Sequence, residues 1–375
     1  MTNLTLNEDE TMLVDSARGF LDEASPVEKF RELRDAGKAY NPELWKQMAD
    51  LGWTGVLVPE DQGGIDMGHA AANLLAQEMG RTLVSSPFIS TAVMAATALR
   101  QVADNPRAAE ALAQIASGDL TYALALDEGV KHAPSKTQLQ AERVGNGFSL
   151  SGEKTFVVDG GSADRLLVLA RTGDAEGALT LFDIPADRDG ITRTAQNMID
   201  ARDSAQISFE GVEATGEDVV GTVDQAMSVL NPALRAGQAA LAAEMTGLSS
   251  GAFGMTVSYL QERKQFGVLI GQFQALQHRA AHLWSDIEVT TSTIANAGRM
   301  MDEDPESAAL AVSLAKARAC QTAKLAVMEG VQMHGGIGMT DAFDMGFFMK
   351  RARVAQEWLG DYGYHAEQIA KIKGY

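Results

Sequence analysis

Hydrophobic periodicity changes twice along this chain, and that double change constrains the fold more than any single motif. Up to about residue 117, apolar residues recur at helical spacing, as in "ELWKQMADLGW" and "AANLLAQEMGR", with "VPEDQGGIDMG" as the break between them. From about Leu120 the pattern becomes short runs of strand character, "FSLSG", "RLLVLAR", "ALTLFDIP" and "AQISFEG", separated by "VGNG", "DGGSAD" and "ADRDG". Beyond about Thr222 the helical period returns and holds to the end, in long alanine-rich runs from Ala226 to Phe266, Phe273 to Met301 and Pro305 to Met333. The expected fold is therefore α+β and mainly α: a helical domain over 1–118, an antiparallel β domain over 119–222 and a four-helix bundle over 223–375. Long helices that are apolar on more than one face usually build both a bundle and an oligomer interface.

With 375 residues the chain can bury a sizeable core, so a small stapled scaffold is excluded. A formal net charge of −19 argues against nucleic acid and anionic membrane as partners. An anionic small molecule fits only where positive groups concentrate, in "ERKQF" and "MKRAR". The six histidines read as scattered, with neither HxxxH nor CxxC spacing expected, which argues against a metal site. The one cysteine, Cys320, sits in the helical run "SLAKARACQTAKLAV", where a buried, unreactive thiol is expected, and it has no partner for an internal disulfide. The opening "MTNLTLNEDETM" has neither a basic nor an apolar targeting segment, and no run of about eighteen apolar residues follows. A soluble, cytoplasmic protein without membrane insertion is the expectation.

Three strings carry candidate chemistry. In "ERKQFGVLIGQFQALQHRAAHLW", Arg263 and Lys264 end one helix, Gly267 to Gly271 break it, and a new helix starts near Phe273 with the apolar stripe Phe273, Leu276, Ala280 and Leu283 beside Gln274 and Gln277. This is either a helix hairpin whose basic residues suit the helix dipole, or an anion site in which an arginine fork beside an aromatic ring suits pyrophosphate and adenine. The string "GVQMHGGIGMTDAFDMGFFMKRAR" has four glycines in nine residues, with Thr340 or Asp341 as the expected N-cap of the next helix. Its glycines either make a turn or let backbone N–H groups approach a phosphate, and His334 reads as a satisfied turn histidine. Lys350, Arg351 and Arg353 cannot share one helix face, so most of them should be solvated. In the β segment, "LSGEKTFVVDGG" reads as a hairpin turn followed by a strand. The third string is "EWLGDYGYH", glycines, aromatics and an aspartate between two helical segments.

Together these strings resemble the acyl-CoA dehydrogenase family over essentially the whole chain. "ELWKQMADLGWTGVLVPEDQGG" and "AQEMGR" resemble that family's amino-terminal segments, "FSLSGEKTF" its G-x-K strand, and "RKQFG…FQ" and "QMHGGIGMT" its R-x-x-F-G…Q and Q-x-x-G-G signatures. The resemblance implies FAD, an acyl-CoA thioester substrate, a dimer-of-dimers oligomer and electron-transfer flavoprotein as acceptor. A carboxylate takes the α-proton while the β-hydrogen leaves as hydride. It further implies that Arg263 and Phe266 hold the ADP half of FAD, with Gln274 near it, and that Gln332 and the backbone at Gly335 and Gly336 cradle the pyrophosphate and adenine side, across a subunit interface.

Several positions depart from the family pattern. Counted from "GGIGMT", the catalytic glutamate of Y-E-G-T falls on Leu359. The alternative base position on the preceding long helix is Gly237, followed by Gln238 where arginine is common. The ring-stacking tryptophan is Phe156, the flavin-bonding hydroxyl is Val158, and Asp127 stands where a threonine is usual, so that an aspartate at the pyrimidine edge would repel reduced flavin. Asp361 is the nearest remaining carboxylate and Glu357 the next, but Asp361 is also placed to cap a helix starting near Tyr362. The resemblance therefore admits two roles: an active dehydrogenase with a relocated base, or a base-lacking small subunit that completes the FAD site of a catalytic neighbour in a heteromeric enzyme.

Overall fold

The computed structural model describes residues 4–175 and 177–375. They form two compact units that are not consecutive in sequence. One contains the chain up to Glu32, His69–Val84 and Gln238–Tyr375; the other contains Leu33–Gly68 and Ser85–Gly237.

The second unit is built on a sheet of eight strands: β1 (Tyr122–Ala125), β2 (Gln140–Val144), β3 (Gly147–Val158), β4 (Arg165–Arg171), β5 (Leu179–Pro185), β6 (Ile191–Ala195), β7 (Ser204–Ala214) and β8 (Val219–Val220). Their order is β6-β7-β3-β2-β4-β5-β8, with β1 paired to β4. The runs "RLLVLAR" and "ALTLFDIP" are the antiparallel pair β4 and β5, and "VGNG" joins β2 to β3. Leu150, Leu166, Val168, Phe182, Ile207 and Phe209 fill the core on this sheet, with the Phe148 ring edge-on to Phe182 at 5.2 Å.

Two features differ from the expected antiparallel domain. The sheet is mixed, because β1 runs parallel to β4 from Tyr122↔Arg165 to Ala125↔Val168. Residues 126–139 separate β1 from β2, so these two strands are not joined by a tight hairpin turn. The second difference is that "LSGEKTFVV" makes no turn: it lies within the single twelve-residue strand β3, whose register with β7 shifts at Leu150/Gly152 and Lys154/Val157. Gly152 has φ +142°, and a Cβ there would come within 3.0 Å of the Leu139 Cα. The glycine serves a bulge and a close backbone approach.

Helices α3 (Pro42–Asp50), α5 (Ala96–Arg100) and α6 (Pro106–Ala116) accompany the sheet in this unit. Trp45 Nε1 donates to the Gly118 carbonyl at 3.1 Å and Thr54 Oγ1 to that of Ala116 at 2.7 Å, so "ELWKQMADLGWT" secures the C-terminal end of α6.

The first unit gathers α1 (Glu8–Ala24), the start of α2 (Val27–Asp35), α4 (Gly68–Arg81) and the C-terminal helices. The last are α7 (Ala226–Glu262), of which the part from Gln238 lies here, α8 (Gln274–Glu303), α9 (Ala308–His334), α10 (Met345–Glu357) and α11 (Tyr362–Lys373). The bundle thus draws on five α-helices, because turns after His334 and Glu357 divide its last segment. Helix α1 starts on a capping box: Asn7 accepts from the Glu10 N–H at 2.8 Å, and the Asn7 N–H donates to Glu10 at 2.9 Å. Glu10 also pairs with Arg299 on α8. Arg351, expected among mostly solvated charges, is 4 % exposed and forms a two-pronged pair with Glu244 on α7, at 2.7 and 3.0 Å. No helix among the described residues is long and apolar enough to cross a membrane.

A charged cluster seals the sheet unit. Asp218 accepts from Arg107 at 3.2 Å, Arg188 at 3.0 Å and the Thr215 N–H at 2.8 Å. Burial pushes its carboxyl up, but the Arg188, Thr215 and Arg107 donors outweigh burial and hold it at about 2, below the ordinary 3.8. This stabilisation is fully present above pH 3.8 and is lost as pH falls through about 2. Asp218→Asn should cost about 2 kcal/mol in urea unfolding at pH 7 and flatten the acid limb of the stability curve.

Candidate functional site

Helix α7 ends at Glu262, and the chain then makes a miniature hairpin, β9 (Lys264–Gln265) with β10 (Val268–Leu269). Phe266 and Gly267, at φ +53° and +82°, form its two-residue turn, with both central residues left-handed as such hairpins require. Phe266 is thereby 93 % exposed, and its ring lies edge-on to Phe273 at 6.3 Å. The exposed Arg263 stands at the hairpin base, where its carbonyl accepts from the Ile270 N–H at 2.9 Å. Gln274 is the first residue of α8 and exposed.

The glycine string follows α9. Gly335 has φ +65° and ψ −142°, a backbone state that L side chains disfavour, and neither Gly335 nor Gly336 has any atom within 4 Å of where a Cβ would stand. Gln332 and both glycines are exposed, whereas His334 is buried, bonded through Nδ1 to the Gly330 carbonyl at 2.7 Å and packed on Tyr259 at 4.5 Å. Neither expected N-cap begins α10, which starts at Met345 behind Asp344. The Thr340 hydroxyl instead donates back to the Ile337 carbonyl at 2.8 Å, and Arg31 holds the Asp341 carbonyl at 2.7 Å. A common core of Leu260, Ile270 and Met333, flanked by Tyr259, Leu276 and Ala280, joins the hairpin to the glycine turn. The six predicted binding residues, Arg263, Phe266, Gln274, Gln332, Gly335 and Gly336, thus come together on one exposed end of the bundle.

The "EWLGDYGYH" string is the turn between α10 and α11. Leu359 is 2 % exposed and left-handed at φ +58°. Its carbonyl accepts from Gln238 Nε2 at 3.2 Å, and His365 Nε2 lies 3.1 Å from the same oxygen. Asp361 is the N-cap of α11 and accepts from the Tyr364 N–H at 2.8 Å. Glu357 pairs with Arg353 on the surface. Lys316 of α9, which the motifs did not single out, reaches this turn from beneath.

Models of the acyl-CoA dehydrogenase N-terminal domain and of the acyl-CoA dehydrogenase C-terminal domain match residues 7–119 and 225–373. The chain belongs to the acyl-CoA dehydrogenase family. It is 27 % identical over 370 residues to the mitochondrial 2-methylacyl-CoA dehydrogenase of Solanum tuberosum, covering 94 % of this chain and 87 % of that one. Among solved structures it is similar to a chain of a variant of the Tcur3481–Tcur3483 steroid ACAD, at 25 % identity and TM-score 0.87 over 99 % of each chain. It shares its fold with a chain of the ChsE4–ChsE5 complex from Mycobacterium tuberculosis, at 24 % identity and TM-score 0.87 over 100 % and 98 %.

Acyl-CoA dehydrogenases are FAD-dependent, and the exposed end of the bundle fits the ADP half of that cofactor. Its donor set is a guanidinium, two side-chain amides and a glycine backbone with open space above it, beside an uncovered aromatic ring. The residues matched to the flavin side lie on the sheet unit and fit less well. Phe156 occupies the β3 irregularity at φ +51°, and Val158 offers no hydroxyl. Asp127, expected to repel reduced flavin, is engaged within its own loop: His132 Nδ1 lies at 2.7 Å and the Ala133 N–H donates at 2.8 Å. Beneath that loop Lys154, fully buried, donates to the Leu126 carbonyl at 3.0 Å, to Glu128 at 2.8 Å and to Thr137 at 3.1 Å.

Contrary to the expected absence of HxxxH spacing, His278 and His282 form one such pair on α8. His282 faces Asp286 at 3.6 Å, but no group of three or more metal-ligating side chains gathers among the described residues. The cap assignment of Asp361 is directly testable. Asp361→Ala should cost about 1 kcal/mol in denaturant unfolding, whereas Asp361→Asn, which keeps the acceptor, should stay within about 0.5 kcal/mol of wild type.

Proposed function

We propose that this chain is the FAD-completing, base-lacking subunit of a heteromeric acyl-CoA dehydrogenase. The observation that carries this reading is the turn at Leu359: a buried leucine stands where the family keeps its carboxylate, and the next carboxylate along the chain, Asp361, is taken up as a helix cap. A leucine cannot accept the α-proton of a thioester, and the alternative position on α7 is Gly237. The exposed end of the bundle, by contrast, presents Arg263, Gln274, Gln332 and the Gly335–Gly336 backbone, the contacts that the family resemblance implies for ADP.

In the assembled enzyme, Arg263, Phe266, Gln274, Gln332 and the Gly335–Gly336 backbone reach the ADP half of a flavin seated mainly in a catalytic neighbour. FAD supplies the hydride acceptor when bound, and the neighbour's carboxylate removes the α-proton of an acyl-CoA. Electron-transfer flavoprotein then takes the electrons. The similarity to chains of the Tcur3481–Tcur3483 steroid ACAD and of the ChsE4–ChsE5 complex supports a heteromeric assembly.

Purification of the chain alone and with its partner tests this reading through flavin absorbance per protomer and turnover of acyl-CoA thioesters with an artificial acceptor. The expected result is little flavin and no turnover for the chain alone, and one FAD per heterodimer with turnover for the pair. Full flavin occupancy with turnover by the isolated chain would sink it. In the pair, Arg263→Ala combined with Gln332→Ala should weaken FAD retention about tenfold or more, because the guanidinium and amide that would hold the ADP half are removed.

A further inference from the structure

We infer that Lys316 is the positioning residue of the base turn, holding the backbone on both sides of Leu359 in its left-handed shape whatever side chain position 359 carries. The inference rests on identifying that turn with the family's base turn, but not on the partner-subunit role.

Lys316 lies in the middle of α9 and is 0 % exposed. A buried lysine is costly unless its donors are met, and none of its hydrogen-bond acceptors is a carboxylate. Its Nζ donates to the Gly360 carbonyl at 2.9 Å, to Ala355 at 3.1 Å and to Gln356 at 3.4 Å, with Cys320 Sγ at 3.6 Å. Ala355 and Gln356 belong to the last turn of α10, whose carbonyls lack intrahelical partners. Lys316 therefore acts as a C-terminal cap delivered from another helix, at the negative end of the α10 dipole.

The third acceptor gives this cap its consequence. Gly360 follows Leu359, so one amine ties the end of α10, three and four residues before the left-handed residue, to the residue directly after it. That backbone state costs a non-glycine residue about 1–2 kcal/mol and persists only where its surroundings impose it. Gln238 and His365 secure the Leu359 carbonyl itself. Among the described residues no acceptor meets the Leu359 N–H. The carbonyls of the turn are thus drawn toward the bundle by residues outside it, and the leucine side chain makes none of these bonds.

The donors matter more than the charge. Burial draws Lys316 below the ordinary lysine range, against the opposing pull of Cys320, Asp361 and Glu357. The role therefore predicts loss with an isosteric side chain that has no donor and recovery with one that has several.

Hydrogen exchange measured by mass spectrometry on the full chain, for Lys316→Met and Lys316→Arg, tests this. For Lys316→Met, peptides spanning 355–361 should exchange about tenfold faster, while peptides from the glycine turn at the far end of α9 stay within about twofold of wild type. Lys316→Arg should recover most of the protection. Wild-type exchange in the methionine variant, or equal loosening by methionine and arginine, would overturn the assignment, the second because packing rather than donation would then hold the turn. If Lys316→Met does not fold, Lys316→Gln replaces it: intermediate exchange supports the assignment and unchanged exchange defeats it. The readout requires neither flavin nor partner, so failure of the heteromeric reading would leave it standing.

Discussion

A lysine sealed from water with no carboxylate to bond must find its acceptors in the backbone, and in this chain that requirement organises the functional end of the bundle. Lys316 can be buried only if α10 ends, and the following turn bends, so as to present three carbonyls to one nitrogen. The same helix, α9, ends in the glycine turn that carries the candidate pyrophosphate contacts. Twenty-seven residues of helix form a rod of about 40 Å, with one function placed along its side and another at its tip. Neither depends on the chemistry of the other.

That independence accounts for the asymmetry of the chain. Contacts to an ADP group need exposed donors and a backbone free of Cβ atoms, and these are local properties of a hairpin and a turn. Proton abstraction needs one carboxylate at one position. Replacing that carboxylate by Leu359 leaves the turn intact, because Lys316, Gln238, His365 and the Asp361 cap hold it through backbone groups. The shape of this turn is thus independent of the side chain at position 359, which is what the proposed base-lacking role requires.

The amino-acid sequence disclosed those parts of the architecture that depend on local pattern. The two changes of periodicity located helices and strands, "VGNG" and "ADRDG" were legible as turns although the strands β2 and β6 beside them were not, and Asp361 was legible as a helix cap from its place before Tyr362. Features that depend on distant partners were not legible. Arg351 resembles a solvated charge until Glu244, on another helix, is brought against it. Lys316 resembles a solvated lysine of an alanine-rich helix, like Lys324, until the α10 turn closes over it. The Gly152 bulge imitates a hairpin turn because both use a glycine within a polar run, and only the Leu139 backbone packed against it tells them apart.

The same distinction bears on the flavin side. Asp127 carries a charge that would repel a reduced flavin if it faced the ring, but the His132 ring and the Ala133 N–H take its two oxygens. The loop has turned its substituted residue inward and stabilised itself with it, and Lys154 braces the same loop from below. A loop folded onto its own histidine and aspartate has exchanged contacts available to a ligand for contacts within the chain. The ADP end shows the opposite condition: Phe266 is bare, and the space over Gly335 and Gly336 is open. The self-satisfied loop and the uncovered tip are the two local conditions on which the proposed subunit role rests.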